Sequence, residues 1–371
     1  MTANVYLDHN ATTPLRPAAQ AAMIAALSDP GNPSSVHGFG RAQRRIVEDA
    51  REHVARLAGV GTGQVVFTSG GTEANNMALA NDDPHAVLVS AVEHASVLDS
   101  ASAAGRIPVD ANGIVDLDAL GRLLAGATVN VIAVMLANNE TGVIQPLADV
   151  ASLAREHGVR LHVDAVQAAG KLALDLENLG ADTLSLSAHK IGGPMGVGAL
   201  IVRDGLALSP LLKGGGQERR RRAGTENVAG IAGFGAAAEA ALADLDSAGG
   251  LARLRDRVEA ALGAEHDVVV YGARAPRLAN TSCLTMPGVA AETQVMALDL
   301  EGIAVSAGAA CSSGKVEASH VLAAMGAEDT RAGEAIRISF GWNSTDADAD
   351  AVVAAWRKVH ATAQGRRGEA A

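Results

Sequence analysis

Aromatic side chains are scarce: four Phe, two Trp and two Tyr make up 2% of the 371 residues. Platforms that stack single-stranded nucleic acid are built from such rings, so almost nothing is present to build one. Positive charge is in deficit as well. Thirty Lys and Arg stand against 41 Asp and Glu, a net charge of −11 that repels polyanions, and direct nucleic-acid binding is not expected. Cysteine is nearly missing. Cys283 and Cys311 are too few for a disulfide framework and suit a reducing compartment, with at most one of them doing chemistry. No stretch stays free of charges and glycines for the ~20 residues of a membrane span, and the N-terminus lacks a basic region leading into an apolar run. A cytoplasmic location and no membrane partner are therefore expected. What the chain does have is apolar bulk: 48% hydrophobic residues suffice for a large core and more than one lobe.

Short apolar runs alternate with longer amphipathic stretches through the first two thirds, the pattern of parallel βα units. Strands are expected over 65–68, 86–90, 130–136, 160–164, 183–187 and 199–202, and a helix over 147–157 stopped by Gly158. Strands apolar on both faces imply a sheet covered on both sides. A helical stretch over 234–262 is expected to break at Gly249-Gly250, beyond which a mixed α+β pattern places strands near 268–271, 282–286 and 336–340. That break is the expected domain boundary.

Ser187-Ala188-His189-Lys190 sets a lysine just past an apolar strand and ahead of Gly192-Gly193. Open α/β sheets bind ligands at the C-terminal ends of their strands, and a lysine desolvated there can act as an amine nucleophile or Schiff-base partner. Taken alone, the solvated loop lysine is the favoured reading, since most lysines are surface charges. Another strand ends in Asp164, with Gln167 three residues on. A carboxylate at that edge can hold a pyridine nitrogen protonated and Gln167 can donate to a phenolic oxygen, although Asp164 would also serve as a helix N-cap. Thr68-Ser69-Gly70-Gly71-Thr72 follows a strand and opens a helix, as a phosphate cradle would, or simply makes a tight turn. His94 lies beyond a further strand end, suited to stacking on a ring or relaying protons, or to a structural role. Asn138-Asn139 can position a carboxylate or make a turn. The run Arg219 to Arg222 reads as solvated or interface charge, with local polyanion binding as the lesser reading.

Taken in order, Tyr6 to Pro14, Gly31 to His37, Ser69 to Glu73, Glu93-His94, Asn138 to Gly142, His162 to Gln167, Ser187 to Lys190 and Arg222 to Asn227 closely resemble the cysteine desulfurases. These form part of the class V aminotransferase group of pyridoxal-phosphate enzymes. The resemblance runs from Tyr6 to about Thr345. It implies the type I fold of pyridoxal-phosphate transferases: a large domain over 15–248 with a mostly parallel sheet covered by helices, and a smaller α+β domain from 1–14 and 249–371. It implies pyridoxal 5′-phosphate as cofactor, L-cysteine as substrate, a homodimer, and a sulfur-acceptor or iron–sulfur scaffold protein as partner. By position, Lys190 matches the Schiff-base lysine, Asp164 the pyridinium partner, Gln167 the phenolic-oxygen donor and His94 the histidine stacked on the ring. Gly71, Thr72, Ser187 and His189 match phosphate contacts, Thr225 the residue reaching the phosphate from the neighbouring subunit, Asn138 a cofactor and substrate contact, and Arg337 the grip on the substrate carboxylate. The chain departs from the family at His9-Asn10, where Asn-Ala or Asn-Asn is common, and in the basic run 219–222.

Cys311 lies among small and polar residues, Ser306 to Gly314, with no large apolar side chain to anchor them, so a mobile loop over about 306–316 is expected. This loop resembles that of the group I desulfurases, which serve nitrogenase and housekeeping iron–sulfur assembly. The resemblance makes Cys311 the catalytic nucleophile that becomes a persulfide. No intrinsic metal is implied, only a share by Cys311 in an iron–sulfur cluster held with a scaffold partner. A buried inert thiol suits Cys283 better. Other class V enzymes (an aminotransferase, epimerase, kynureninase or selenocysteine lyase) would keep Lys190 and Asp164 without needing this cysteine. A non-catalytic scaffold-binding protein would need neither Lys190 nor Cys311.

Overall fold

The computed structural model describes residues 5–80, 82–101, 105–245, 248–264, 267–307 and 319–370. Its strands are β1 (Val5–Tyr6), β2 (Val65–Thr68), β3 (Val87–Ser90), β4 (Gly105–Ile107), β5 (Val131–Ala133), β6 (Arg160–Asp164), β7 (Thr183–Ser187), β8 (Gly198–Val202), β9 (Thr281–Thr285), β10 (Ile303–Ala304), β11 (Ser306–Ala307) and β12 (Ala335–Ser339). Among the described residues, seven strands form one sheet in the order β2-β8-β7-β6-β5-β3-β4. β8 runs against both of its neighbours, β2 and β7, while the remaining pairs are parallel. Six strands therefore end at one edge, and the loops that follow them converge there. β2, β3, β5, β7 and β8 are buried along their whole length, as two-sided coverage requires.

Helices Pro17–Ser28, Gly38–Ala58 and Val228–Ala243 pack together. Their contact is close because Gly235 faces Ala50: a Cβ on that glycine would lie 2.6 Å from the Ala50 Cα. Phe67 and Phe234 meet edge to face in the core of this unit. A second core gathers Leu7, Leu254, Leu298, Phe340 and Trp356 around the antiparallel sheet β11-β12-β9 and the parallel pair β1-β10. The N-terminal segment thus packs with the C-terminal third of the chain. No helix among the described residues is long and apolar enough to cross a membrane.

Several expected elements move. The break expected at Gly249-Gly250 falls earlier: helix Val228–Ala243 ends before it, and both glycines lie in the first turn of helix Ala248–Gly263. First-turn amides have no intrahelical partners, so glycine costs little there. The strand expected near 268–271 is only a bridge between Val270 and Leu284. The strand over 130–136 is regular only to Ala133. Val134 and Leu136 still donate to the carbonyls of His162 and Asp164, but the amide of Met135 turns to the Glu93 carboxyl at 2.6 Å. Ala86 closes a 3-10 turn, Pro84–Ala86, capped by Asp83, so β3 begins one residue late.

The basic run is not simply a solvated face. Glu218, Arg219 and Arg220 take φ of 46°, 55° and 66°, a region L side chains rarely adopt. The turn is held from below, where Arg51 forks onto Glu218 with two bonds of 2.8 Å and the Phe67 amide donates to the same carboxylate at 2.9 Å. Both side chains of this pair are buried. Glu218→Ala would leave the buried Arg51 with only the half-exposed Glu48 at 3.1 Å to balance its charge and would take the acceptor from the Phe67 amide, and a loss of about 3 kcal/mol is expected. Urea unfolding of the variant checks this, and an unchanged midpoint would contradict it.

Candidate active site

Lys190 closes the short turn Ala188–Lys190 that follows β7, at the edge where the parallel strands end. Its Nζ donates to the carbonyls of Asn10 at 2.5 Å and Ala11 at 2.8 Å. One strand over, Asp164 ends β6, opposite Ser185 of β7. One carboxylate oxygen accepts from the Val166 amide (2.9 Å) and the other from Asn75 Nδ2 (2.8 Å). A carboxylate offers about four acceptor positions, so two remain for a cationic N–H.

Asn75 was not singled out from the sequence, yet it organises this corner. Its Nδ2 faces Asp164 and the Ser96 hydroxyl, so its oxygen must face His162 Nε2 at 3.0 Å. His162 therefore donates from Nε2, and its Nδ1 accepts from the Thr183 hydroxyl at 2.9 Å. Burial holds His162 down at about 4, keeping the ring neutral. The available signal was an asparagine at a buried helix position and a histidine inside an apolar strand. Ser96 extends the network to His94, whose Nδ1 accepts from the Ser96 amide (3.1 Å) and contacts the Ser96 hydroxyl (2.8 Å). Burial, with the charges of Lys190 and His320 nearby, lowers His94, and Asp164 opposes the shift.

Gly71 and Thr72 open helix Gly71–Leu79 directly after β2. A Cβ on Gly71 would lie 2.7 Å from Val166 Cγ2 and 3.6 Å from the Ser187 Cβ, so glycine is required where the helix start abuts the ends of β6 and β7. These first-turn amides and the positive helix end favour an anion. Glu73 braces the loop by accepting from the Ser69 amide at 2.7 Å and from Arg222 at 2.9 Å, and these bonds hold it below the usual carboxylate range against the effect of burial. His189 bonds to the Thr12 hydroxyl at 2.8 Å and is lowered to about 4 by burial and the charge of Lys190. Thr225 is exposed and lines a cavity of about 130 Å³ with Thr68, Ser69 and Arg222.

Gln167 donates to the Asn10 carbonyl at 2.8 Å, and its Oε1 accepts from Lys171 at 3.0 Å. Lys171 too went unremarked in the sequence. With Lys190, Thr13, Arg16, Asn280 and Trp342 it lines a cavity of about 300 Å³ whose walls come from both cores. Asn138 is spent on its own turn: its oxygen accepts from the amides of Glu140 and Thr141, and its nitrogen donates to the Val92 carbonyl. The neighbouring Asn139 carbonyl instead takes a bond from Arg337 Nη1 at 3.0 Å. Arg337 Nη2 meets Asp8 at 2.7 Å, and its buried Nε–H has no partner among the described residues. A buried donor left open on a guanidinium points to an anion as its intended acceptor.

Cys311 lies outside the described residues, as does the rest of 308–318. Both flanks of that segment attach to the site. Ser306 pairs with Arg337 across β11 and β12, and the Ser319 hydroxyl donates to Glu140 at 2.5 Å. Cys283 is fully buried in β9 opposite Arg337, and burial pushes its thiol up. Native Cys283 should therefore resist iodoacetamide at pH 7 and react only in denaturant. Peptide mass mapping checks this, and labelling of Cys283 in the folded protein would contradict it.

An anion cradle, a carboxylate with open acceptor positions and an amine on adjoining strand ends fit the phosphate, pyridine nitrogen and aldehyde of pyridoxal phosphate. Comparison with known proteins agrees. The aminotransferase class-V family model matches residues 5–352. The cysteine desulfurase IscS of Dictyoglomus turgidum is 42% identical over 368 residues, covering 94% of this chain and 92% of the relative. A cysteine desulfurase of Cereibacter sphaeroides is 44% identical over 362 residues, 93% of each. The solved NifS-like protein of Rickettsia africae superposes with a TM-score of 0.90 at 33% identity, covering 96% of this chain and 99% of that one. The chain belongs to the aminotransferase class-V family and, within it, to the cysteine desulfurases.

Proposed function

We propose that this chain converts L-cysteine to L-alanine with pyridoxal 5′-phosphate, leaving the sulfur as a persulfide on Cys311 for an acceptor or iron–sulfur scaffold protein in the cytoplasm. The observation that carries this reading is the meeting of Lys190, Asp164 and the Gly71 helix start at one sheet edge, with the open Nε–H of Arg337 on β12. The amides of Gly71 and Thr72 would hold the phosphate with Ser187 and His189. In a homodimer Thr225 of the second subunit would complete that site. Leu27, Val36 and Phe39, exposed near the point where Gln43 bonds to Ala26 and Asp29, fit a face covered by such a subunit.

Bound there, the cofactor supplies an electron sink for the charge left when the substrate loses its α-proton. The chain's own residues do the rest. Asp164 would keep the pyridine nitrogen protonated, Gln167 would donate to the phenolic oxygen, and His94 would lie against the ring. Arg337 takes the substrate carboxylate through its open N–H groups, with Asn138 shaping the turn beside it. Lys190, held by the Asn10 and Ala11 carbonyls, is the base for the α-proton. Cys311 as thiolate accepts the sulfur. Incubation of the purified protein with L-cysteine and a thiol reductant should release alanine and sulfide in equal amounts, with a visible chromophore that borohydride bleaches. A colourless preparation that yields neither after addition of pyridoxal phosphate would overturn the reading.

A further inference from the structure

We propose that Lys171 is a positioning residue that fixes the orientation of the Gln167 amide, so that Gln167 turns its NH2 toward the phenolic oxygen of the cofactor. The proposal rests on the reading of Gln167 given above and adds the group that makes that reading work. An amide side chain has two ends of opposite character, and only its NH2 end can stabilise an anionic oxygen. Gln167 is pinned between an obligate acceptor and a donor. The Asn10 carbonyl takes one Nε2–H at 2.8 Å, and Lys171 Nζ meets Oε1 at 3.0 Å. The second Nε2–H is left for another acceptor.

Lys171 is itself held in place. Its second bond, 3.2 Å, goes to Asn10 Oδ1, and that oxygen also accepts from Asn280 Nδ2 at 3.0 Å. The Asn10 NH2 is committed to the Thr281 hydroxyl and the Asn139 carbonyl, so the Asn10 amide cannot turn over either. Both polar partners of Lys171 among the described residues are amide oxygens, and neither is a carboxylate. Charged groups around it are Lys190 and Arg337, which together with burial hold its amine down at about 7, and Lys171 in turn lowers the buried His9. An amine placed among like charges without a carboxylate does not serve packing, for which an apolar side chain of similar length would be the better choice. Protonated or neutral, it still offers an N–H to Gln167 Oε1.

The test is a double-mutant cycle on the cofactor-loaded full-length protein, read by the pH titration of the visible absorption of the bound cofactor. Gln167→Leu should raise the apparent pKa of the chromophore by about one unit, through loss of a bond to its charged form. Lys171→Met should raise it in the same direction, and the double variant should match Gln167→Leu alone. Should the Met variant fail to fold, Lys171→Gln enters the same cycle. Additive shifts in the double variant would mean that Lys171 acts through its charge alone and would overturn the proposal, leaving the role of Gln167 intact. A Gln167→Leu titration identical to that of the parent would overturn both.

Discussion

Lys190→Ala should abolish conversion of cysteine to alanine, by at least about 10⁴-fold, while leaving the protein folded. The methyl group can neither join an aldehyde nor carry a proton, and no neighbouring amine can take over. Lys171 is the nearest alternative, but its Nζ is tied to the side-chain oxygens of Gln167 and Asn10. The fold should survive because Asn10, whose carbonyl loses the Lys190 bond, keeps the one from Gln167, and the strands β6, β7 and β8 are held by their own ladders. Visible absorbance, borohydride reduction followed by mass analysis, and alanine release read the effect. A variant that still forms a reducible adduct and turns over cysteine would show that the amine lies elsewhere.

Cys311→Ala should produce an equally large loss at a different stage. Cofactor binding and colour should persist, because Lys190, Asp164 and the helix start at Gly71 are untouched. Sulfur should no longer be retained on the protein. A free cysteine of pKa ~8.5 is partly ionised near neutral pH and attacks as thiolate, whereas burial holds Cys283 as an unreactive thiol. Mass analysis after one turnover should place the added sulfur on the peptide carrying Cys311 in the parent protein and nowhere in the variant. Sulfur on Cys283, or undiminished alanine and sulfide from Cys311→Ala, would refute the role of Cys311. This variant also separates a desulfurase from class V enzymes that need only the lysine and the aspartate.

Where the chemistry is local, the residues announced it. Gly71 and His94 follow runs apolar on both faces, Val65–Thr68 and Val87–Ser90, as interior strands are, while Asp164 and Lys190 follow short runs with His162, Ser185 and Ser187 in them that the sheet buries all the same. The order of these motifs along the chain then pointed to the family. Tertiary structure decided whatever depends on partners far apart in sequence. The reversal of β8, the meeting of Arg337 with Asp8 and the Arg51–Glu218 pair under a strained turn all join residues that no local pattern connects. Lys171 looks like a surface lysine beside Gly170 until Asn10 is brought 161 residues back to meet it. Asn75 and His162 look like minor exceptions to apolar periodicity until one hydrogen-bond chain, running from Thr183 to Asp164, requires both. Burial forces that outcome: a polar atom removed from water must find a partner, and only the folded chain determines which one is within reach.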